Sequence, residues 1–198
     1  MRSQLRKEIR SLRRNLSDDE QRKAGLDLLE QLKTIPEIFS CNSYALYLPS
    51  DGEIDTIPLI EELRSCSAEL YLPVVDPDLP RVMQFRRFDE STVLIPNKYN
   101  ILEPDETNPT IQSDDLDVIF APLVAFDLSG NRLGMGGGYY DHLFKNLRLS
   151  GREVTVIGLA HNFQLVDSVP ADTWDEKLKT VATPLRIYHL AGEINGSE

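Results

Sequence analysis

A chain of 198 residues, 41% hydrophobic and 27% charged, can bury a sizeable core and reads as a single domain over 1–198. Its net charge of −11 excludes a general nucleic-acid binder, because neutralising phosphates takes clustered positive charge. No apolar run reaches membrane-spanning length and no hydrophobic leader with a cleavage site opens the chain, so a cytoplasmic protein with no membrane partner, and a monomer, is expected.

Leu5, Ile9, Leu12 and Leu16 recur at helical spacing and mark a helix over 2–15 with one apolar seam. Arg2, Arg6, Arg10 and Arg13 fall on the strip beside that seam. Residues 1–14 hold six cations against Glu8 alone, a local charge of +5 that leaves −16 for the rest of the chain. Such an arm is either a solvated face or a docked helix that lends one or two arginines to an anion site. Ser17-Asp18-Asp19-Glu20 is a capping-box signature, so a second helix starts there, with Leu28, Leu29, Leu32 and Ile35 on its core face and Pro36 at its end. Cys41 and Cys66 have neither metal nor redox spacing and are expected as reduced, buried thiols.

Ser43 to Leu48 reads as a strand, Pro49 to Gly52 as a turn, Ile57 to Arg64 as a helix and Glu69 to Val75 as the next strand. This β–α–β succession argues for an α/β fold with a mostly parallel sheet. Val82 to Phe88 adds a strand, Glu103 to Asp115 reads as an acidic surface loop, and Asp117 to Ala121 is an apolar strand. Val154 to Ala160 suits a buried parallel strand, Thr180 to Thr183 and Arg186 to Leu190 late short ones, and 191–198 a frayed tail.

The chain is organised around Ala121 to Asp141, where a buried strand gives way to a turn at Asp127–Gly130, a four-glycine loop and a helix from about Tyr139. Glycine clusters often mark only tight turns, but here Arg132 precedes the loop and Tyr139-Tyr140-Asp141 follows it. Free amides and a helix N-terminus suit an anion, the guanidinium suits phosphate oxygens, and Asp141 is either a Mg²⁺ ligand or a first-turn acid complementing the dipole. No Lys-Ser or Lys-Thr follows the glycines, which rules out a Walker-A loop, and Tyr139 stands where a dinucleotide fingerprint needs its third glycine. Glu53 lies just past a strand end, where open α/β sheets place ligand crevices, or is a plain surface-turn acid. One of Tyr139 and Tyr140 is expected to pack and the other to meet a ligand; Asp175 also fits a simple turn, and His142, His161 and His189 share no metal spacing.

Across nearly its whole length the chain resembles the 5-formyltetrahydrofolate cyclo-ligase (methenyltetrahydrofolate synthetase) family. The resemblance is carried by Leu5-Arg6, Gly52-Glu53-Ile54-Asp55-Thr56, Tyr71-Leu72-Pro73-Val74, Ile101-Leu102-Glu103-Pro104, Pro122 to Asp127, Arg132 to Asp141, Gln164-Leu165-Val166 and Trp174-Asp175. It implies a three-layer α/β/α sandwich similar to the sugar-phosphate isomerase and CoA-transferase type. It also implies an ATP- and Mg²⁺-dependent closure of 5-formyltetrahydrofolate to 5,10-methenyltetrahydrofolate, with ADP and phosphate released. Position by position, Arg2, Arg6 and Arg132-Leu133-Gly134-Met135-Gly136-Gly137-Gly138-Tyr139-Tyr140 match nucleotide contacts. Leu48, Glu53 and Met135 to Tyr139 match folate contacts, Asp141 and Asp175 match magnesium-binding acids, and Arg132, Tyr140 and Glu53 are the groups implied to carry the chemistry. Arg2 stands where members often have Lys, Met135 where the residue is often aromatic or basic, and His142 where bacterial relatives often have Arg. A folate- or nucleotide-binding module without turnover is the alternative from another class.

Overall fold

The computed structural model describes residues 1–76 and 78–190, so the frayed tail expected over 191–198 lies outside the described residues. In chain order the elements are α1 (Arg2–Arg14), α2 (Asp18–Leu32), β1 (Ser43–Ala45), α3 (Ile57–Ser65), β2 (Glu69–Val75), β3 (Met83–Arg87), β4 (Leu94–Pro96) and β5 (Leu102–Pro104). They continue with β6 (Thr110–Ile111), β7 (Val118–Pro122), β8 (Ala125–Phe126), β9 (Arg132–Leu133), α4 (Tyr139–Ser150), β10 (Thr155–Leu159), β11 (Thr180–Ala182) and β12 (Ile187–His189). The capping box at Ser17 forms in both directions with Glu20, as its sequence requires. The acidic stretch 103–115 is more ordered than a loop: it contains the end of β5, β6 and a short 3₁₀ turn. Among the described residues no helix is long and apolar enough to cross a membrane.

Eight strands form one sheet in the order β12-β11-β10-β7-β1-β2-β3-β6. The central five pair in parallel, while β12, β3 and β6 add antiparallel edges. Alternation along the central strands sends side chains to two cores, one on each face. Tyr44, Val118, Phe120, Ile157 and Leu159 pack with α2 and α3. Ala45, Ile119, Ala121 and Tyr71 pack with Leu143, Phe144 and Leu147 of α4. Helices therefore cover both faces, which is the three-layer arrangement.

The strand order explains where a site can be. From β1 the chain moves to one side through β2 and β3, then returns to lay β7 on the other side of β1. The two connections diverge beyond the carboxyl ends of β1 and β7, which opens a crevice between the segments that follow them. After β1 comes the turn carrying Glu53; after β7 come the β8–β9 hairpin and the glycines.

Candidate active site

The hairpin that delivers the glycine loop is fixed from below. Asp127, 3% exposed, accepts hydrogen bonds from Ser129 N, Asn131 N and Nδ2, and Val169 N, all at 2.9–3.0 Å. Gln164, also buried, donates to Leu123 O at 2.6 Å and Val124 O at 3.1 Å. Leu133 turns its side chain into a small core with Ile9, Val124, Ala125 and Val169, so only its backbone faces the crevice.

Beyond Leu133 no backbone N–H from Gly134 to Gly138 donates to a protein acceptor among the described residues. Gly136 and Gly138 adopt φ of +102° and +74°, conformations that side chains resist. The Arg6 guanidinium lies 3.6 Å from where a Cβ on Gly136 would stand, and its Nε donates to Gly134 O at 2.8 Å. Arg81, unremarked in the sequence reading and itself at φ +65°, runs along Gly138. Met135 is 51% exposed at the loop's crest.

Arg132 lies beneath this loop, 5% exposed. Its Nη1 donates to Asp141 Oδ1 at 2.7 Å, and the guanidinium stacks 4.6 Å from the Phe144 ring centre. Nη2 is buried with no partner among the described residues, an unspent donor on a buried cation. Burial pulls Arg132 below its ordinary value while Asp141 and Asp175 hold it up, so both acids flank it. Arg2, at the start of α1, bridges Asp172 Oδ2 at 2.6 Å and Asp175. Asp141 Oδ2 and Asp175 Oδ1 remain without hydrogen-bond partners among the described residues. No three His, Cys, Asp or Glu side chains gather as a metal site among these residues.

The two tyrosines separate. Tyr140 packs on Phe144 at 5.8 Å, and burial, then the Glu53 charge, raises its hydroxyl far above the usual phenol range. Tyr139 instead shares a 3.3 Å hydroxyl contact with Tyr99, which the loop between β4 and β5 carries across. A cavity of about 500 Å³ opens beside that loop, lined in part by Val74, Val75, Ile95, Lys98 and Glu103.

On the facing wall, Ser50 to Glu53 closes a turn with Glu53 N donating to Ser50 O at 2.9 Å. Its central pair, Asp51 and Gly52, both have positive φ (52° and 71°), the pattern of a type I′ turn and its Asp-Gly preference. Glu53 Oε2 accepts from Ser50 N and Oγ, and burial raises its pKa, with Arg13 opposing. Leu48, half-buried, packs against the core on the α2 side. The crevice thus brings both Glu53 and Arg132 within electrostatic reach of Tyr140.

The seam of α1 differs from the sequence expectation. Ile9 is buried and Leu5 packs beside it, but Leu12 is 48% exposed, and the position one turn past Ile9 is taken by Arg13, fully buried. Arg10, Arg13 and Arg14 all pair with Asp51. Burial pushes the Asp51 carboxyl up, but the hydrogen bonds and charges of these arginines outweigh it and hold the group below its ordinary range. His161, 3% exposed, supports the turn from the other side. Its Nε2 donates to Gly52 O at 3.2 Å while its side chain also accepts from Gln164 N–H, which defines a neutral imidazole with the proton on Nε2. The thiols are free, though Cys41 is half-buried and Cys66 exposed, not buried as expected.

A family model described as the 5-formyltetrahydrofolate cyclo-ligase family matches residues 1–184. The chain belongs to that family. A 5-formyltetrahydrofolate cyclo-ligase of Escherichia coli K12 is 36% identical over 181 residues, covering 91% of this chain and 98% of that one. The solution structure of the Aquifex aeolicus 5,10-methenyltetrahydrofolate synthetase superposes with a TM-score of 0.82 at 33% identity, covering 100% of this chain and 96% of its own. The Mycoplasma pneumoniae 5,10-methenyltetrahydrofolate synthetase gives 0.73 at 26% identity, covering 92% and 98%. Cyclo-ligase membership spans α1, the Asp51 turn and the glycine loop alike, so the whole crevice lies within the matched residues.

Proposed function

We propose that the chain catalyses the ATP-dependent cyclisation of 5-formyltetrahydrofolate to 5,10-methenyltetrahydrofolate, releasing ADP and phosphate. The observation that carries this reading is the set of unpartnered amides at Gly134–Gly138 between Arg6 and the buried, incompletely bonded Arg132, in a chain of this family. Such a cradle fits a triphosphate: backbone N–H groups and guanidinium forks are the donors that phosphate oxygens take.

The chemistry needs little covalent help from the protein. An amide oxygen leaves poorly, and phosphorylation turns it into a good leaving group. The formyl oxygen attacks the γ-phosphorus and ADP departs; the N10 amine then attacks the formyl carbon, and the C–O bond breaks to release phosphate and close the ring. Positioning and charge neutralisation do most of the work in such transfers. In this reading Arg132 meets the transferring oxygens with its unbonded Nη2, and Arg2 and Arg6 hold the nucleotide from α1. Glu53 has the acceptor oxygens to fix the N–H-rich edge of a pterin, with Leu48 and Tyr139 as apolar and ring contacts and Tyr140 between the two substrates.

Asp141 and Asp175 suit Mg²⁺ carried by a nucleotide: each keeps one carboxylate oxygen unbonded, and Mg²⁺ is commonly held by one or two carboxylates together with phosphates and water. When bound there the ion supplies charge neutralisation. The test is an absorbance assay for methenyltetrahydrofolate with and without ATP. Product that requires ATP and appears with equimolar ADP supports the reading. Tight folate binding without ADP release supports instead a binding module.

A further inference from the structure

Arg13 has no exposed surface, although it sits on a helix whose other arginines reach solvent. A buried guanidinium is costly to desolvate, so its contacts must repay more than a neutralised neighbour. Asp51 is already paired with Arg10 and Arg14, and needs no third cation for charge balance. What distinguishes Arg13 is where its fork points. Nε and Nη2 donate to the Asp51 carbonyl at 3.1 and 2.8 Å, and Nη2 also reaches Asp51 Oδ2 at 3.1 Å. The same Nη2 stands 4.0 Å from Glu53 Oε1, the oxygen that Ser50 leaves free. The Arg13 carbonyl lies so close to Gly52 that a Cβ there would sit 2.6 Å away, so helix and turn are interlocked.

We propose that Arg13 is a positioning residue that aims the Glu53 carboxylate, as an anion, into the folate half of the crevice. The inference rests on the reading of Glu53 as a folate contact. Five residues bear on Glu53: Ser50 and Asp51 from its own turn, Arg13 from α1, Tyr47 from the segment after β1, and Tyr140 from α4. Burial, Asp51 and the phenols favour or tolerate the neutral acid; Arg13, and after it the two Ser50 hydrogen bonds, oppose them. Tyr47, 5% exposed, has a buried hydroxyl with no partner among the described residues, so Ser50 holds Glu53 Oε2 while Oε1 is left to face Arg13.

The test measures kcat/KM for 5-formyltetrahydrofolate against pH, at saturating MgATP, in the full-length protein and in Arg13→Met, Glu53→Gln and the double variant. Loss of Arg13 lets Glu53 protonate at higher pH, so the acid limb of Arg13→Met moves up by about one unit or more. Its folate KM rises about tenfold, while the KM for ATP stays within about twofold. In the Glu53→Gln background the same substitution adds less than about twofold, because the two residues act as one unit. If Arg13→Met does not fold, Arg13→Lys replaces it: the retained charge holds the limb near that of the parent, but the lost fork raises folate KM several-fold. An unshifted limb with unchanged folate KM in Arg13→Met, an equal loss in the Glu53→Gln background, or an unchanged folate KM in Arg13→Lys overturns the assignment while the parent protein still turns over. A parent protein that makes no ATP-dependent product overturns the reaction itself and this inference with it.

Discussion

Arg132 and His161 show how one side chain's surroundings decide what it does. Arg132 is nearly buried, shares one nitrogen with Asp141 and keeps another unbonded. Removing a preorganised donor from a transition-state oxyanion costs about 10²–10³ in kcat, and Arg132→Ala is expected to lose that much in the methenyltetrahydrofolate assay. An unchanged rate rejects its role. His161 is neutral for a structural reason: burial drives its pKa down from 6.5 to about 4, and both ring nitrogens are already committed. The unfolded chain binds a proton that the folded chain refuses between those values. The stability this confers is complete above pH 6.5 and is lost as pH falls toward 4, by about 3 kcal/mol at most. Urea unfolding of the protein and of His161→Gln across that window is expected to diverge, the variant falling less steeply. Parallel curves contradict the assignment.

At the scale of elements, α1 is the brace of the crevice. Its first turn ties Arg2 to the Asp172–Asp175 turn, its second lays Arg6 on the glycine loop, and its last holds the turn before Glu53. Gly52 is where that contact is tightest, so Gly52→Ala is expected to cost 1–2 kcal/mol from its positive φ alone and more from the Arg13 carbonyl. Thermal unfolding measures the loss, and folate KM is expected to rise with it; a variant of undiminished stability contradicts the interlock. Ser17→Ala, which removes the capping box of α2, is expected to cost about 1 kcal/mol in thermal unfolding.

Across the whole molecule, what was legible in the sequence was what local chemistry decides. Glu69–Val75 forms the strand read there, Tyr139 opens the helix, and the Asp-Gly turn falls at 51–52. Contacts made by residues far apart in the chain were not legible. Arg13 reads as a surface cation until the Asp51 turn, 38 residues on, closes over it, though its place one turn past Ile9 was a signal that it faces inward. Arg81 and Tyr99 reach the glycine loop from other hairpins, and β6 exists only through pairing with β3, which β4 and β5 separate from it in the chain. The crevice is likewise a product of strand order, which no local pattern encodes.

A structure with a non-hydrolysable ATP analogue tests the account at its centre. Triphosphate oxygens within hydrogen-bond reach of the Gly136–Gly138 amides and of Arg132 are expected, with Arg6 alongside. A nucleotide bound away from Gly134–Gly138 contradicts it.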